Sequence, residues 1–356
     1  MSESTPKSKK TLQTLKRKAD LLYQKGVEEM AKAKLQSARA SLDQALLVYS
    51  QASDQSGVAQ CLLKLGRSLE LLGEYDRAQE TYQGSLDLYA RLNDPKGTAR
   101  AKAFLGDVAW AKGGYTAALK LLEEALLAFR QADDKPGQAW VLDMLGNLNL
   151  AQGKHDESEK FHRAAYALAQ EVGESPEGRA WNEYHLAAIE LFCGRRETAQ
   201  AGFLKALKIF TELGDVLGEV ATCTHLGEIA CDLKDLAEAQ RYILQAIRLV
   251  LPTQCKPLLA DALTSLVRLL KSRHEESKAT GILMVVLSHP TCRQQTKDRM
   301  VSLSKALQAN FSVKELESGF TWAKEFTIEE MAQAWLKALS PKDEGANLEN
   351  VRIRKK

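Results

Sequence analysis

The chain lacks the sequence motifs of the common enzyme classes. It contains no G-x-x-x-x-G-K-[ST] phosphate loop, no G-x-G-x-x-G dinucleotide fingerprint, no H-E-x-x-H zinc motif and no G-x-S-x-G nucleophile elbow. Its six histidines are scattered, and His155 and His162 have no acidic or thiol partner at ligand spacing. Cys223 and Cys231 would lie about 12 Å apart on one helix, too far to share a metal ion. These absences predict a protein that is not an enzyme and that holds no cofactor or metal.

Further absences bear on location and partners. None of the six cysteines forms a C-x-x-C pair, which favours reduced thiols in a cytoplasmic protein. No run approaches the ~18 consecutive apolar residues of a membrane span, and residues 1–10 carry no secretory signal. The net charge of +3 predicts no broad basic surface for nucleic acid. Basic residues cluster only at the two ends, where solvated, disordered tails are favoured over nucleic-acid or membrane arms.

What the chain does have is a repeat of about 40 residues. The dipeptide Leu-Gly occurs at Leu65-Gly66, Leu105-Gly106, Leu145-Gly146 and Leu226-Gly227, and Leu186-Ala187 stands in register at the missing place. Self-similarity at a fixed period predicts stacked structural repeats rather than two or three globular domains. Such arrays present surfaces and seldom carry chemistry.

Residues 94–133 show how one repeat is built. Asp94 followed by Pro95 predicts a helix start, because Asp caps free backbone N–H groups and proline is tolerated at the first helical position. Gly113-Gly114 ends that helix, and a second helix follows from Tyr115 with apolar residues at helical spacing. The same turn signature recurs at 54–57, 134–137, 174–178 and 215–218. Each repeat is therefore predicted to be a helical hairpin.

Small residues recur at fixed places within the hairpins. One column is glycine in the middle of the first helix, at Gly66, Gly106, Gly146 and Gly227; two columns in the second helix read Ala78, Ala118, Ala199, Ala239 and Ala125, Ala165, Ala206, Ala246. Glycine inside a helix costs about 1 kcal/mol relative to alanine, so close packing of neighbouring helices must offset that cost.

These columns resemble the tetratricopeptide repeat. The usual period of that family is 34 residues, so a period of 40 implies longer helices, as in kinesin light chains, the LGN/Pins adaptors and the sensor domains of MalT-like regulators. Leu145-Gly146-Asn147 is typical of this long-helix subgroup. The resemblance implies an all-α, right-handed superhelical solenoid of about seven hairpins, with the first helix of each hairpin lining a concave groove.

The period divides the chain into four segments. Residues 1–11 are expected to be a disordered basic terminus and residues 12–289 the repeat array. Residues 290–340 are expected to form capping helices, with a capping box at 327–330, a shorter helix from Ser312 and a helical segment at 291–310. Residues 341–356 are expected to be a disordered tail.

The resemblance also implies which side chains face the groove. They come from the first helices of five units: Arg67 and Glu70; Arg100, Asp107 and Trp110; Trp140, Asp143, Asn147 and Leu150; Trp181, Tyr184, Leu191 and Phe192; Thr224, Glu228 and Asp232. Tryptophan, tyrosine and arginine dominate binding hot spots, so this set is the predicted partner-binding site. The mixed charges indicate a partner with a charge pattern of its own.

Two features of this set have more than one reading. Trp140 and Trp181 occupy equivalent positions and fit packing between repeats as well as partner contact, since one ring can do both. In related arrays an asparagine at the place of Asn147 grips the backbone of an extended peptide, because its amide both donates and accepts hydrogen bonds. Only this unit carries it, which argues against a continuous peptide track.

Three functions compete on this evidence. The leading one is a non-catalytic adaptor or scaffold that binds a peptide or helix of a partner protein in the groove. The second is a regulatory sensor that binds a small molecule or signalling peptide, around Trp140, Trp181, Tyr184 and Phe192, and modulates a partner such as a transcription regulator. The third, a nucleic-acid factor using the basic ends, is disfavoured by the balanced charge. The oligomeric state stays open.

Overall fold

The computed structural model describes residues 9–173, 175–308, 323 and 325–339. Across these residues the chain is helical and has no strand, which confirms the predicted all-α fold. The helices are α1 Lys9–Ala31, α2 Leu35–Gln51, α3 Gln55–Leu71, α4 Tyr75–Arg91, α5 Pro95–Ala111, α6 Tyr115–Gln131, α7 Lys135–Ala151, α8 His155–Val172, α9 Pro176–Phe192, α10 Arg196–Leu213, α11 Val216–Asp232, α12 Leu236–Val250, α13 Lys256–Ser272, α14 Glu276–Ser288, α15 Gln294–Gln308 and α16 Ile328–Leu339, with a 3-10 turn at Leu251–Thr253.

The first fourteen helices pair as seven hairpins, as the repeat predicted. Helix α1 begins at Lys9, inside the segment expected to be disordered, because no glycine or proline precedes Gly26 in the helical run to stop it. The terminal tail from 341 and the short helix expected at Ser312 lie outside the described residues. No described helix has both the length and the apolar character that a membrane span requires.

The second to sixth hairpins start with a side-chain cap at the turns that the sequence indicates. The carboxylate of Asp94 accepts a hydrogen bond from Gly97 N at 2.9 Å, and Asp54, Asp134 and Asp215 do the same. The turn at 174–178 differs, because Ser175 is the capping residue and its hydroxyl accepts from Gly178 N at 3.0 Å. These bonds satisfy backbone N–H groups that the first turn of a helix leaves open.

Two columns of glycine, not one, set the helix spacing. A side-chain carbon at Gly66 would lie 2.4 Å from the Tyr82 ring, and Gly106, Gly146 and Gly227 face Leu122, His162 and Ile243 in the same way. The second column is the glycine three residues after each capping Asp, which the sequence analysis treated only as part of a turn. Gly57, Gly97, Gly137 and Gly218 lie under the rings of Tyr49, Tyr89, Phe129 and Phe210.

The described chain divides into two compact units. One comprises the residues up to Trp110 together with Gly114–Leu145, and the other comprises Ala111–Gly113 and the residues from Gly146 onward. In the second unit, α16 packs against α12, α13 and α14 and buries Trp335 completely. The predicted capping box is present, with Thr327 Oγ1 accepting from Glu330 N at 3.1 Å and a Glu330 carboxylate oxygen accepting from Thr327 N at 2.8 Å.

We expect Gly66→Ala to destabilise the chain by about 1–2 kcal/mol, because the overpacking penalty against Tyr82 exceeds the gain in helix propensity. Gly84→Ala is the matched control, since its added carbon would meet only Leu62 Cδ1 at 3.6 Å. That variant should instead gain up to about 1 kcal/mol. Urea unfolding followed by circular dichroism measures both, and equal effects of the two substitutions would contradict the packing role of the glycine column.

Candidate functional site

In the first unit, two predicted groove charges are paired with each other. Arg67 Nη1 lies 3.2 Å from Asp107 Oδ2 on the next first helix and also bonds Glu70 on its own helix. Glu70 is completely buried and accepts a hydrogen bond from the Tyr82 hydroxyl at 3.0 Å. Burial, with the neighbouring Glu70 carboxylate, raises the pKa of Tyr82 well above its ordinary value, so the phenol stays protonated. This network ties α3, α4 and α5 together, and only part of Arg67 faces solvent.

The same unit places Trp140 on an aromatic stack. The rings of Tyr82 and Phe104 lie parallel with centroids 5.0 Å apart, and the Phe104 and Trp140 centroids are 4.9 Å apart. Trp140 is half-buried, so it packs between repeats on one face and keeps surface on the other. The packing interpretation of Trp140 is therefore confirmed, and its contact with a partner stays a prediction.

Positive charge gathers on α3 and α5 at a position the sequence analysis missed. Burial, followed by the charges of Arg67 and Arg100, lowers the pKa of Lys64. Arg100 itself is exposed. Lys64 lies three residues before Arg67 on the same helix, and that spacing was the available signal for a shared face. Spacing within α3 could not show that Lys64 also lies near Arg100 of α5.

Trp110 and Asp143, the remaining predicted groove residues of this unit, are both half-buried. The buried indole nitrogen of Trp110 has no hydrogen-bond partner among the described residues, so its ring is held by packing.

In the second unit, Trp181 and Tyr184 stand on a buried base. Ala180, Ala206 and Phe210 form that base, and the Trp181 ring meets Phe210 edge-on at 4.9 Å. The ring centroids of Tyr184 and Trp181 lie 5.4 Å apart, and both side chains are half-buried. The two aromatic side chains thus form one rigid patch on α9, as the sequence analysis expected.

Phe192 does not join this patch. It lies at the end of α9, is 48% exposed and stacks on His155 of α8 at 5.5 Å. Eight residues separate it from Tyr184, which is about 12 Å along a helix. Phe192 therefore lies apart from Trp181 and Tyr184, with which it was grouped as a candidate ligand-binding cluster. Asn147 on α7 is half-buried.

Histidines surround the aromatic patch. His185 stacks on His162 at 5.0 Å, and His225 stacks on Phe203 at 5.0 Å while lying 5.6 Å from Tyr184. These histidines are scattered in the sequence because each belongs to a different helix. Only the stacking of the hairpins brings them together.

Glu228, predicted to face a partner, is 5% exposed and part of an internal network. Its carboxylate accepts hydrogen bonds from Ser265 Oγ at 2.8 Å, from Arg268 at 3.5 Å and from Arg299 of α15. Burial alone would raise the pKa of Glu228, but Arg299, His225 and Arg268 together hold it well below its ordinary value. Asp232 also pairs internally, with Arg268 at 2.7 Å. No sequence pattern predicts the pairing of Arg299 with Glu228, because the two residues lie 71 positions apart and Arg299 is outside the repeat.

Comparison with known proteins points to one family. Residues 97–171 and 61–96 match two family models, each described as tetratricopeptide repeat. No curated protein sequence shows significant similarity to the chain.

Three solved structures are similar in fold. A Rap protein complexed with competence and sporulation factor has 16% sequence identity and a TM-score of 0.60, covering 83% of this chain and 77% of that one. The Rap conjugation gene regulator of the plasmid pLS20, in complex with the Phr* peptide, has 13% identity and a TM-score of 0.63, covering 87% and 80%. A signal transduction ATPase with a tetratricopeptide repeat sensor from Pyrococcus horikoshii has 12% identity and a TM-score of 0.55; 97% of this chain spans 51% of it. At these identities the similarity concerns the fold.

We expect Arg67→Ala to destabilise the chain by about 2 kcal/mol, because it removes the cation facing the buried Glu70 carboxylate while the exposed part of Arg67 limits the loss. Arg77→Ala is the matched control, since Arg77 pairs with Glu74 at the surface and is 55% exposed. It should cost under about 1 kcal/mol. Chemical unfolding of the two variants measures the difference, and equal costs would show that the Arg67 network adds nothing to stability.

The depressed pKa of Glu228 predicts an acid-dependent loss of stability. Because this pKa lies lower in the folded chain than the about 4.3 of an unfolded glutamate, the stabilisation is present above that value and is lost as pH falls below it. Glu228→Gln removes the titrating group, so its free energy of unfolding should change less between about pH 5 and pH 3 than that of the wild type. Urea titrations across this range measure the slopes, and identical slopes would refute the assignment.

Proposed function

Since the chain is a tetratricopeptide-repeat protein, we propose that it is a non-catalytic adaptor or regulator that binds a peptide or helix of a partner protein on the first helices of its hairpins. The observation that carries this proposal is the aromatic patch of Trp181 and Tyr184. Both side chains are half-buried, so each keeps some exposed surface, and both rest on a fully buried base.

Such a patch suits recognition for a physical reason. A large ring that is already held by its neighbours loses little conformational entropy when a partner covers it, so more of the contact energy appears as affinity. Aromatic side chains bury much surface and dominate hot spots. Two proteins with the same fold are seen in complex with competence and sporulation factor and with the Phr* peptide, which supports a peptide as the ligand class here.

The charged residues of the predicted set contribute less to this proposal. Glu70 and Glu228 are buried, and Arg67 and Asp107 pair with each other. Exposed charge on α5, at Arg100, remains available to a partner. Within the second unit the proposed contacts are Asn147, Trp181 and Tyr184. Within the first unit, Trp140 and Arg100 are the predicted partner-binding residues that keep exposed surface.

A sensor function is the second candidate. One structure with the same fold carries its repeats as the sensor of a signal transduction ATPase. In a sensor, a small molecule or signalling peptide binds the first helices, and the regulated partner binds another surface of the chain. A thermal shift with a library of small molecules and peptides separates the two, because a ligand at 100 times its dissociation constant adds about 2.7 kcal/mol of stability.

We expect Trp181→Ala to abolish the capture of the partner, with a loss of affinity of at least about tenfold, because it removes the largest exposed ring of the patch. Affinity capture from a lysate of the source cell, followed by mass spectrometry, compares it with the wild-type chain. Trp181→Phe keeps the contact with Phe210 and should retain part of the binding.

The matched control is Tyr166→Ala, which removes an aromatic side chain that is 40% exposed on the second helix α8. Circular dichroism and the melting temperature establish that each variant is folded. If partners survive Trp181→Ala but are lost with Tyr166→Ala, the binding face is on the second helices and the proposal fails.

A further inference from the structure

Helix α15 lies against the first helices of the second unit and not only against its own neighbour α14. Arg299 bonds Glu228 on α11 and lies 3.9 Å from Asp261 on α13. Thr296, one turn earlier on α15, donates a hydrogen bond to the same Asp261 carboxylate at 2.7 Å. Burial raises the pKa of Tyr184 on α9, and the positive charges of Arg299 and Arg293 lower it. One face of α15 thus contacts α11 and α13, the first helices of the two hairpins that follow the one bearing Trp181 and Tyr184.

The contact is charged at its centre and has little apolar surface around it. Among the side chains described on α15, Met300 is completely buried, but Val301 on the next position is 46% exposed. Helix α14 differs, because its run Ile282–Val286 is buried throughout. Since apolar burial supplies most of the stabilisation of a docked helix, α15 is the more weakly held of the two.

Closure of the repeat array does not rest on α15 alone. Helix α16 packs on α12, α13 and α14, buries Ile328, Met331 and Trp335, and receives a hydrogen bond from Gln240 Nε2 to Leu339 O at 3.1 Å. A capping helix already covers the last hairpin. The polar contacts of α15 therefore call for another explanation.

The carboxylates that hold Arg299 are suited to a guanidinium. Glu228 is almost fully buried and Asp261 is half-buried, so water can replace only part of the charge that Arg299 supplies, although Arg268 stays beside Glu228. The fork of an arginine side chain can reach two carboxylates at once, whereas the compact ammonium of a lysine acts as a single point charge. We call Glu228, Asp261 and Ser265 the carboxylate pocket.

We propose that α15 is a built-in occupant of the partner-binding face, and that the partner supplies an arginine side chain that replaces Arg299 in the carboxylate pocket. This inference rests on the proposed function, because it names the charged part of the ligand that the aromatic patch of Trp181 and Tyr184 would bind. In the free chain, Arg299 of α15 therefore fills the carboxylate pocket. A partner must displace α15 before it can bind, so a ligand that lacks the arginine binds with low apparent affinity.

A labelled peptide copied from α15 tests this arrangement on the full chain. The probe is a fluorescein-labelled synthetic peptide of residues 293–305, measured by fluorescence anisotropy. The wild-type chain should bind it weakly, since a tethered competitor acts at an effective concentration of about 1 mM. Arg299→Glu places a negative charge against Glu228 and Asp261 and expels α15, so this variant should bind the probe at least about tenfold more tightly.

Two controls decide between pocket recognition and general charge effects. Lys305→Glu makes the same charge change at an exposed position of α15 and should bind the probe as weakly as the wild type does. The double variant Arg299→Glu, Glu228→Gln removes the buried charge of the pocket and should lose the binding gained by Arg299→Glu alone. Its circular dichroism spectrum also shows whether loss of the ion pair, rather than of the pocket, unfolds the chain. A probe with alanine in place of the arginine equivalent to Arg299 should not bind any variant.

Equal probe binding by the wild type and Arg299→Glu, with both folded, would overturn the proposal. So would tight binding of the alanine probe. Capture of a partner that depends on Trp181 would in that case still support the proposed function. If instead the probe behaves as expected and no Trp181-dependent partner is captured, the intramolecular contact stands and the proposed function fails.

Discussion

Helix packing in this chain depends on glycines that leave room for a side chain of the adjacent helix. At Gly66 and at Gly57 the space of a missing side chain is filled by a tyrosine ring from the neighbouring helix. The first contact sets the distance between the two helices of a hairpin, and the second sets the distance between one hairpin and the next. Both recur at the repeat period, at Gly106, Gly146 and Gly227 for the first contact and at Gly97, Gly137 and Gly218 for the second. The order of the groups on the first helices follows from that stacking.

Close stacking also determines what happens to charge. Side chains on consecutive first helices are near enough to pair with one another, as Arg67 does with Asp107 and Arg268 with Asp232. Charges that would otherwise face a partner are then neutralised within the array, and some, such as Glu228, are buried. Aromatic side chains differ from charged ones, because they need no partner of opposite charge. The Trp181 ring packs on Phe210 and is only partly buried, so it keeps contact surface where the paired charges lose theirs.

The sequence predicted the hairpins, their caps and the mid-helix glycine column, because each is a local pattern repeated at a constant spacing. It also placed Trp181 and Tyr184 correctly on one helix face, since residues three apart are neighbours on a helix. It did not separate Phe192 from the Trp181 and Tyr184 patch, although two helical turns lie between Phe192 and Tyr184. It placed the turn at 174–178 but did not identify Ser175 as its capping residue.

The sequence by itself determined that this chain is a stack of helical hairpins and which helix face carries its rings. Periodicity is a local property, and a period of 40 residues needs no knowledge of distant contacts. Only the tertiary structure decided which charges are paired inside the protein and that α15 lies against α11 and α13. The pairing of Arg299 with Glu228 joins residues far apart in the chain and breaks the repeat, and such contacts are set by how whole helices pack rather than by any local pattern.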